Sequence, residues 1–294
     1  MKPATVADQK GIWVASYPKS GNTWVRIFIH NLLRELRGEV GSEQDINALN
    51  QHTTWELSAA AYEELLGKPV AQATPAEIAK TRYSVQEILA QKQKGPFFIK
   101  THNSVANVEG YPSINLDITL AAIYIVRNPL DVAISYAHHS GLTVDSTIDF
   151  MALPGAASPT TVNMVYEFPD TWSAHAASWL AISNRPVHVV RYEDMLHSPE
   201  RVFAGLAKFL RMKHSPDQLA RAIEKSSFKA VAQQEATKGF VEKPPTSKAF
   251  FREGRADQWQ EGLSKVQIKS IVASHAPMMQ RFGYLIPDCG RVIA

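Results

Sequence analysis

The sequence predicts an α/β protein in which helices flank a central parallel β-sheet. Two observations support this fold class: short runs rich in Ile, Val, Phe and Tyr alternate with longer amphipathic segments, and Pro, Gly or polar residues bound each run. The predicted strands are residues 12–17, 97–100, 121–126 and 187–191. Because each run is compact and has the composition of a buried strand, we expect a parallel sheet.

The helices are predicted from amphipathic patterning and from Pro, Ser or Asp near their first residues. They cover residues 22–37, 129–139, 170–183, 199–211, 216–225 and 264–282. Residues 40–95 carry only weak patterning and indicate mixed helix and loop. Two Pro-rich and polar stretches, 141–169 and 236–248, are longer than plain connectors and are candidate lids, with disordered surface loops as the alternative.

Length and composition describe an ordinary globular chain. Of its 294 residues, 45% are hydrophobic and 20% are charged, which excludes a disordered or collagen-like protein. Because α/β folds often reach roughly 250 residues as one unit, we expect a single domain over residues 1–294, with 1–10 and 288–294 as peripheral tails.

Charge and cysteine usage limit the partners and the compartment. The net charge of +3 is too small for a surface that coats nucleic acid, so no nucleic-acid partner is expected. The longest apolar stretch, residues 120–126, is far short of a membrane span, and we expect no secretory signal. Cys289 is the only cysteine, which excludes an internal disulfide and favours the cytoplasm.

A polar loop, residues 17–24, connects the first strand to its helix and is typical of an anion site. Backbone N–H groups converge at a helix N-terminus, where they bind negative charge. The loop adds a flexible turn residue, three hydrogen-bonding side chains and one cation, namely Gly21, Ser20, Asn22, Thr23 and Lys19. It is not a Walker A motif, because the lysine precedes the glycine. A capped helix start with a solvated lysine is the alternative interpretation.

A second anion signal follows the strand at 121–126. Arg127 ends that strand beside a helix N-terminus, and Ser135 lies two turns into the helix. Asp131 is interpreted as a first-turn residue favoured by the helix dipole, and His138 and His139 as residues that cap or pack the helix end. Two separated anion sites indicate a ligand that is phosphorylated at both ends.

Lys100 and His102 stand two residues apart at the end of another strand, where parallel sheets bind ligands. The pKa of histidine suits proton abstraction near neutral pH, although a buried structural histidine is the alternative. The other histidines lack metal-ligand spacing, so no metal site is expected.

These segments, in this order, resemble the family of sulfotransferases that use 3′-phosphoadenosine 5′-phosphosulfate (PAPS), in particular a bacterial-like member of its cytosolic type. The match covers most of the chain. Residues 17–24 are similar to the family's 5′-phosphosulfate loop, 100–102 to its catalytic strand end and 124–138 to its 3′-phosphate segment. Residues 191–195 are similar to its Tyr-Glu-Asp-Met motif, and 251–254 with Trp259 to its C-terminal Arg-Lys-Gly and Trp segment.

The resemblance implies transfer of a sulfuryl group from PAPS to a hydroxyl acceptor without a metal, leaving 3′-phosphoadenosine 5′-phosphate (PAP). Lys19 would neutralise the leaving phosphate oxygens, Lys100 would contact the sulfuryl oxygens, and His102 would be the general base. The implied nucleotide contacts are Ser20, Gly21, Asn22 and Thr23 at the 5′-phosphate, Arg127, Ser135, Arg252 and Gly254 at the 3′-phosphate, and Trp24, Phe228 and Tyr192 around the adenine. Core packing is the alternative for these aromatic residues.

Two other functions remain open. One is a P-loop phosphotransferase using ATP and Mg²⁺, and the other is a nucleotide-binding protein without catalytic activity.

The sequence departs from the family pattern in three places. Glu253 replaces the lysine of Arg-Lys-Gly, and we expect its carboxylate to point to solvent while its backbone N–H still contributes. Asn22 replaces a threonine, and the family's Lys-Thr-Val-Glu dimer motif is absent after Trp259, so the oligomeric state stays open. The aromatic residues of 40–95 and 141–169 suggest an apolar or aromatic alcohol or phenol as acceptor; they are Trp55, Tyr62, Phe150, Tyr166 and Phe168.

Overall fold

A five-stranded sheet flanked by helices is the central feature of the computed structural model, which describes residues 10–39, 45–244 and 247–285. The strand order is β2 (Thr53–Trp55), β3 (Phe97–Thr101), β1 (Gly11–Ser16), β6 (Thr119–Val126) and β7 (Val187–Arg191). β3 pairs in parallel with both β1 and β2. The predicted α/β fold with a parallel sheet is confirmed.

Four of the strands coincide with predicted ones to within two residues at their ends. The fifth strand, β2, was not predicted. Its three residues are too few to carry an alternating pattern. A short antiparallel pair, β4 (Asn107–Val108) and β5 (Tyr111–Pro112), was also not predicted.

The described residues form the helices α1 (Asn22–Leu36), α2 (Ala59–Leu66), α3 (Pro75–Gln91), α4 (Pro129–Ser140), α5 (Val144–Ala152), α6 (Trp172–Leu180), α7 (Tyr192–His197), α8 (Pro199–Phe209), α9 (Pro216–Lys225), α10 (Phe228–Lys238), α11 (Trp259–Gly262) and α12 (Lys265–Arg281). Each of the six predicted helices is present, with α6 shorter than expected. Residues 40–95, predicted as mixed helix and loop, contain α2 and α3. The sequence did not predict α5, α7, α10 and α11.

The two candidate lids are not simple loops. α5 lies within residues 141–169, and α10 extends into residues 236–248. The backbone of Val165 donates to Leu57 and that of Ala59 donates to Asn163, each at 3.0 Å. The disordered-loop alternative is therefore wrong for this part of the first segment, whereas movement of either segment as a lid stays a prediction.

The chain divides into two compact units. The sheet unit comprises Met1–Pro18, Thr53–Tyr124 and Phe150–Val189, and the helical unit comprises Lys19–His52, Ile125–Asp149 and Val190–Ala294. Each unit is assembled from segments distant in sequence. Whether the chain folds as the single domain expected from its length stays a prediction.

In the sheet unit, the buried strand β1 determines which residues reach the carboxyl edge of the sheet. All residues of β1 are buried, as expected for a central parallel strand. Gly11 permits close packing, since a Cβ there would lie 2.9 Å from Ile99 Cδ1. The register pairs Ala15 with Thr101, so Ser16 and the residues after Thr101 lie at the same edge.

In the helical unit, α1 begins within the loop at residues 17–24, and a buried carboxylate holds its C-terminal end. Glu35 lies in the last turn of α1 with its side chain 1% exposed. It accepts hydrogen bonds from Arg221 Nε and Lys225 Nζ of α9, both at 2.8 Å. These ion pairs fix α1 against α9 and so support the loop from which α1 starts.

We predict that Glu35→Ala lowers the free energy of unfolding by about 1–3 kcal/mol at pH 7, because Arg221 and Lys225 lose a buried partner. Burial opposes ionisation of Glu35, but the hydrogen bonds from Lys225 and Arg221 outweigh it and hold its pKa below the usual value. Ionised Glu35 therefore stabilises the folded state fully at pH values above its unfolded-state pKa. This stabilisation disappears as pH falls through the lower folded-state pKa.

Urea unfolding of wild type and Glu35→Ala at several pH values measures this effect. The difference between the two proteins should narrow as pH falls from about 5 towards 3. Glu224→Ala, at an exposed position of α9, is the matched control and should leave stability unchanged. A difference that persists unchanged at low pH would contradict the assignment.

Candidate functional site

The loop at residues 17–24 has the backbone shape of an anion site. Lys19 and Gly21 have positive φ angles of 67° and 106°, a turn conformation in which backbone N–H groups converge. The first turn of α1 has no side-chain cap, in contrast to α3 and α4, which Thr74 and Asn128 cap. The absence of a side-chain cap agrees with an anion site at this helix start, and that site stays a prediction.

Two further features of this loop suit a phosphate group. Ser20 Oγ is buried and has no hydrogen-bond partner among the described residues, a costly state that an anion would relieve. A Cβ at Gly21 would lie 2.8 Å from Tyr192 Cδ2, so only glycine fits there. Asn22 is buried at the start of α1, and Thr23 is half-buried beside it.

The predicted adenine residues Trp24 and Tyr192 are in contact. Their rings lie 5.7 Å apart at 71°, and Trp24 also packs edge-on against Phe203. Core packing therefore accounts for part of the Trp24 surface. Its indole Nε1 is buried without a hydrogen-bond partner in the described part of the chain.

Lys19 is held by two side chains. Its Nζ lies 3.2 Å from His139 Nδ1 and 4.3 Å from the centre of the Phe250 ring. Because an ammonium group only donates, His139 Nδ1 must accept, which places the proton of the neutral imidazole on Nε2. The interpretation of His139 as a residue that only caps or packs the end of α4 was wrong, since it contacts the cation of the loop.

Arg127 connects three parts of the helical unit. Its guanidinium donates to the backbone carbonyls of Lys19 at 3.3 Å and Arg255 at 3.2 Å, and it stacks 4.2 Å from the centre of the Tyr192 ring. It is 5% exposed, and its Nε is buried with no partner within the residues described. Arg127 thus organises the surroundings of the loop, and its role in binding a phosphate stays a prediction. Ser135 is half-buried about two turns into α4.

Two buried carboxylates position these segments. Asp131, in the first turn of α4 as predicted, accepts the backbone N–H groups of Asp257 at 2.8 Å and Trp259 at 3.0 Å. Glu193 accepts from the backbone of Asn128 at 2.9 Å and from the Tyr284 hydroxyl at 2.8 Å. Burial raises the pKa of both groups. Each carboxylate therefore holds together segments that are far apart in sequence.

The carboxylate of Glu253 was expected to point to solvent, and it also forms ion pairs. Glu253 is exposed, but its carboxylate does not simply point to solvent: it binds Arg252 at 2.9 Å and Arg255 at 2.7 Å. The hydrogen bond from Arg255 holds the pKa of Glu253 below its usual value. Gly254 has φ of +59°, and a Cβ there would lie 2.1 Å from Phe228 Cδ2, so glycine is required where the chain passes this ring.

His102, in the sheet unit, is oriented by the end of the neighbouring strand. Its Nδ1 lies 2.7 Å from the Ser16 carbonyl oxygen and 3.2 Å from Ser16 Oγ. A carbonyl oxygen can only accept, so the proton of the neutral imidazole is on Nδ1 and the lone pair is on Nε2. The backbone N–H of His102 donates to Glu167 Oε1 at 3.2 Å. Nε2 is therefore the ring atom that can take up a proton.

Lys100 lies beside an aromatic ring and a buried acid. Its Nζ is 5.5 Å from the centre of the Trp55 ring, in agreement with the pairing of these residues in the sheet. Burial raises the pKa of Glu167, and the positive charge of Lys100 opposes this rise. Glu167 could not be predicted from the sequence, because it lies outside any recognisable motif.

The aromatic residues expected around an acceptor divide into two groups. Tyr62 is fully buried and Tyr166 is 7% exposed, and both belong to the core formed by α2, α3 and residue 165. Trp55 and Phe168 are partly buried against that core, and Phe150 is also partly buried. Tyr62 therefore offers no surface to a ligand, which corrects that part of the expectation.

Among residues 10–39, 45–244 and 247–285, no three His, Cys, Asp or Glu side chains are arranged to hold a metal ion. Over the same residues, no helix combines the length and apolar character that a bilayer crossing requires. Cys289 lies outside the described residues.

The chain is similar in sequence to known enzymes. It is 25% identical to luciferin sulfotransferase of Photinus pyralis over 267 residues, which are 86% of this chain and 67% of that protein. It is also 25% identical to sulfotransferase 1A1 of Canis lupus familiaris over 291 residues, which are 94% of this chain and 86% of that protein.

Two solved structures share its fold. The mouse sulfotransferase SULT7A1 complexed with PAP aligns with a TM-score of 0.59 and 18% identity, covering 98% of this chain and 93% of that one. Retinol dehydratase in complex with androsterone and the inactive cofactor PAP aligns with a TM-score of 0.63 and 17% identity, covering 97% and 84%.

The family model of the sulfotransferase domain matches residues 9–283, which include both anion-binding segments and the strand end that carries Lys100 and His102. This chain belongs to the sulfotransferase family.

Proposed function

We propose that this sulfotransferase transfers a sulfuryl group from PAPS to the hydroxyl group of a small acceptor, with His102 as the general base. The observation that carries the proposal is the hydrogen bond from His102 Nδ1 to the Ser16 carbonyl, because it leaves the lone pair of the imidazole on Nε2. Family membership and the PAP named in the two structural relatives support the nucleotide.

The residues of the helical unit fit a nucleotide with phosphate groups at two positions. Ser20 Oγ and Arg127 Nε are buried donors that lack a partner within the described residues. Both suit phosphate oxygens, since charge-assisted hydrogen bonds to anions are stronger than neutral ones. The uncapped start of α1 adds backbone N–H groups for the 5′-phosphate. The helical unit contains all the proposed nucleotide contacts, from Lys19 to Gly254.

PAPS, when bound, supplies the sulfuryl group, whose bond to the phosphate oxygen breaks as the acceptor oxygen bonds to sulfur. In this proposal, His102 Nε2 takes the proton of the acceptor hydroxyl. Lys19 provides positive charge for the phosphate oxygen that departs, and Lys100 provides it for the sulfuryl oxygens. Such transfers depend mainly on positioning and electrostatics, which these cations and the fixed imidazole supply.

For the acceptor, we propose an apolar or aromatic alcohol or phenol. The name of the relative luciferin sulfotransferase supports a small organic acceptor. Trp55 and Phe168 are partly buried aromatic residues of the sheet unit, and Lys100 lies next to Trp55. A cytoplasmic location belongs to the same proposal and rests on the single cysteine in the sequence.

We predict that His102→Ala slows transfer about 10²- to 10⁴-fold, because the acceptor hydroxyl loses its base. PAP affinity should stay within about twofold, since the proposed nucleotide contacts lie elsewhere in the chain. PAP release with a panel of alcohols and phenols measures the rate, and calorimetry measures PAP binding.

His214→Ala, far along the chain in the connection before α9, is the control and should transfer at the wild-type rate. Loss of PAP binding in His102→Ala would assign His102 a structural role. An unchanged rate would remove it from the mechanism.

We predict that Arg127→Ala weakens PAP binding at least about tenfold but affects binding of adenosine 5′-monophosphate less, because only PAP carries the 3′-phosphate. Calorimetry with both nucleotides measures this difference. Arg127→Lys keeps the positive charge but loses the planar guanidinium group. Its affinity for PAP should lie between those of wild type and Arg127→Ala.

Arg281→Ala, an exposed substitution in the last turn of α12, is the matched control and should bind both nucleotides normally. Equal weakening of the two nucleotides by Arg127→Ala would show that Arg127 only supports the loop through Lys19 and does not bind the 3′-phosphate.

A further inference from the structure

Glu56 is a buried carboxylate of the sheet unit that no sequence motif indicates. It directly follows β2 and is 0% exposed. Its Oε1 accepts hydrogen bonds from Thr101 Oγ1 at 2.7 Å and Asn103 Nδ2 at 2.9 Å, and its Oε2 accepts from Gln86 Nε2. Two of its three donors are thus the immediate neighbours of His102.

The contacts of residues 101–103 alternate. Thr101 and Asn103 both reach Glu56, whereas the ring of the intervening His102 reaches Ser16. Successive side chains of an extended segment point to opposite sides. Glu56 therefore holds one side of the segment while the other side presents the imidazole.

The hydrogen-bond directions around Glu56 are fixed by other contacts. Asn103 Oδ1 accepts from the backbone of Phe168 at 2.6 Å, so the amide nitrogen of Asn103 must face Glu56. Gln86 Oε1 accepts from the backbone of Asn115 at 2.7 Å, so the Gln86 nitrogen must also face Glu56. Thr101 Oγ1 accepts from the backbone of Asn103 at 3.0 Å and donates its own proton to Glu56.

Three donors therefore converge on one carboxylate, which matches an ionised acid, since that form only accepts. Arg82 is likewise buried and supplies the compensating positive charge to this acid. Burial raises the pKa of Glu56, and Arg82 and the three donors oppose the rise. Because each donor and acceptor of this network has a single assigned partner, residues 101–103 can adopt only one arrangement.

We propose that Glu56 is a positioning residue for proton transfer, which acts by holding Thr101 and Asn103 so that the His102 imidazole keeps its hydrogen bond to Ser16. This inference rests on the proposed function of His102. A displacement of about 1 Å at a reacting group can cost 10²-fold in rate. Loss of the Glu56 contacts frees the segment to rotate and removes the constraint on the imidazole.

The first experiment compares Glu56→Ala and Glu56→Gln with wild type. We expect kcat per folded molecule to fall about 10- to 100-fold in Glu56→Ala and less in Glu56→Gln, whose amide oxygen still accepts from Thr101 and Asn103. The KM for PAPS and the affinity for PAP should both stay within about twofold of the wild-type values. Glu64→Gln, at an exposed position of α2, is the matched control and should behave as wild type.

The second experiment places Glu56→Ala in the His102→Ala background. Because Glu56 acts through His102, the double variant should transfer no more slowly than His102→Ala alone. If the rate losses of the two single variants multiply in the double variant, the inference is overturned. A variant with fewer folded molecules but an unchanged kcat for each would also overturn it, since that is the result of a structural role alone. If Glu56→Ala does not fold, Glu56→Gln carries both experiments.

A third measurement does not depend on activity. Nitrogen NMR of histidine in wild type should show the His102 proton on Nδ1. Glu56→Ala, which loses the hydrogen bonds to Thr101 and Asn103, should show a mixture of the two tautomers, and Glu56→Gln should stay closer to wild type. An unchanged Nδ1–H signal in Glu56→Ala would overturn the inference. If the NMR change is observed but wild type transfers no sulfuryl group, the proposed function fails while the contact from Glu56 to His102 stands.

Discussion

The hydrogen bond between His102 Nδ1 and the Ser16 carbonyl is the contact on which the proposed chemistry depends. It assigns the proton of the half-buried imidazole to one ring nitrogen and the lone pair to the other, which the proposed role of His102 as a base requires. The bond exists because β1 and β3 are parallel neighbours whose carboxyl ends share an edge of the sheet. In the sequence, Ser16 also directly precedes the loop at residues 17–24.

Buried carboxylates support the functional segments of both units. Glu56 binds the neighbours of His102, Asp131 binds the backbone before α11, and Glu193 binds the backbone at the start of α4. Burying such groups is costly, and each one is compensated by several donors. The groups proposed to act on the nucleotide and the acceptor are instead cations and an imidazole.

The sequence predicted what depends on local pattern. The α/β class, the loop before α1 and the first turn of α4 all follow from periodicity, turn residues and caps within short windows. Contacts between distant segments could not be predicted. Glu56 accepts a hydrogen bond from Thr101, which lies 45 residues later in the sequence. Asp131 accepts one from Trp259, which lies 128 residues later.

The same reason explains the errors at individual residues. His139 was interpreted from its own helix, but its partner is Lys19, 120 residues away. Glu253 is exposed, as its charge predicted, but its ion pairs with Arg252 and Arg255 were not predicted. β2 was missed because its three residues show no pattern until they pair with β3. In each case, a tertiary contact decided the structure.

The most direct measurement follows a radioactive sulfur atom from PAPS to an alcohol or phenol in the presence of a metal chelator, beside a parallel reaction with ATP carrying a radioactive γ-phosphate and Mg²⁺. We expect the sulfur label to reach the acceptor and the phosphate label to stay on the nucleotide. Transfer of the phosphate label instead, or no transfer of sulfur to any acceptor despite PAP binding, would contradict the account.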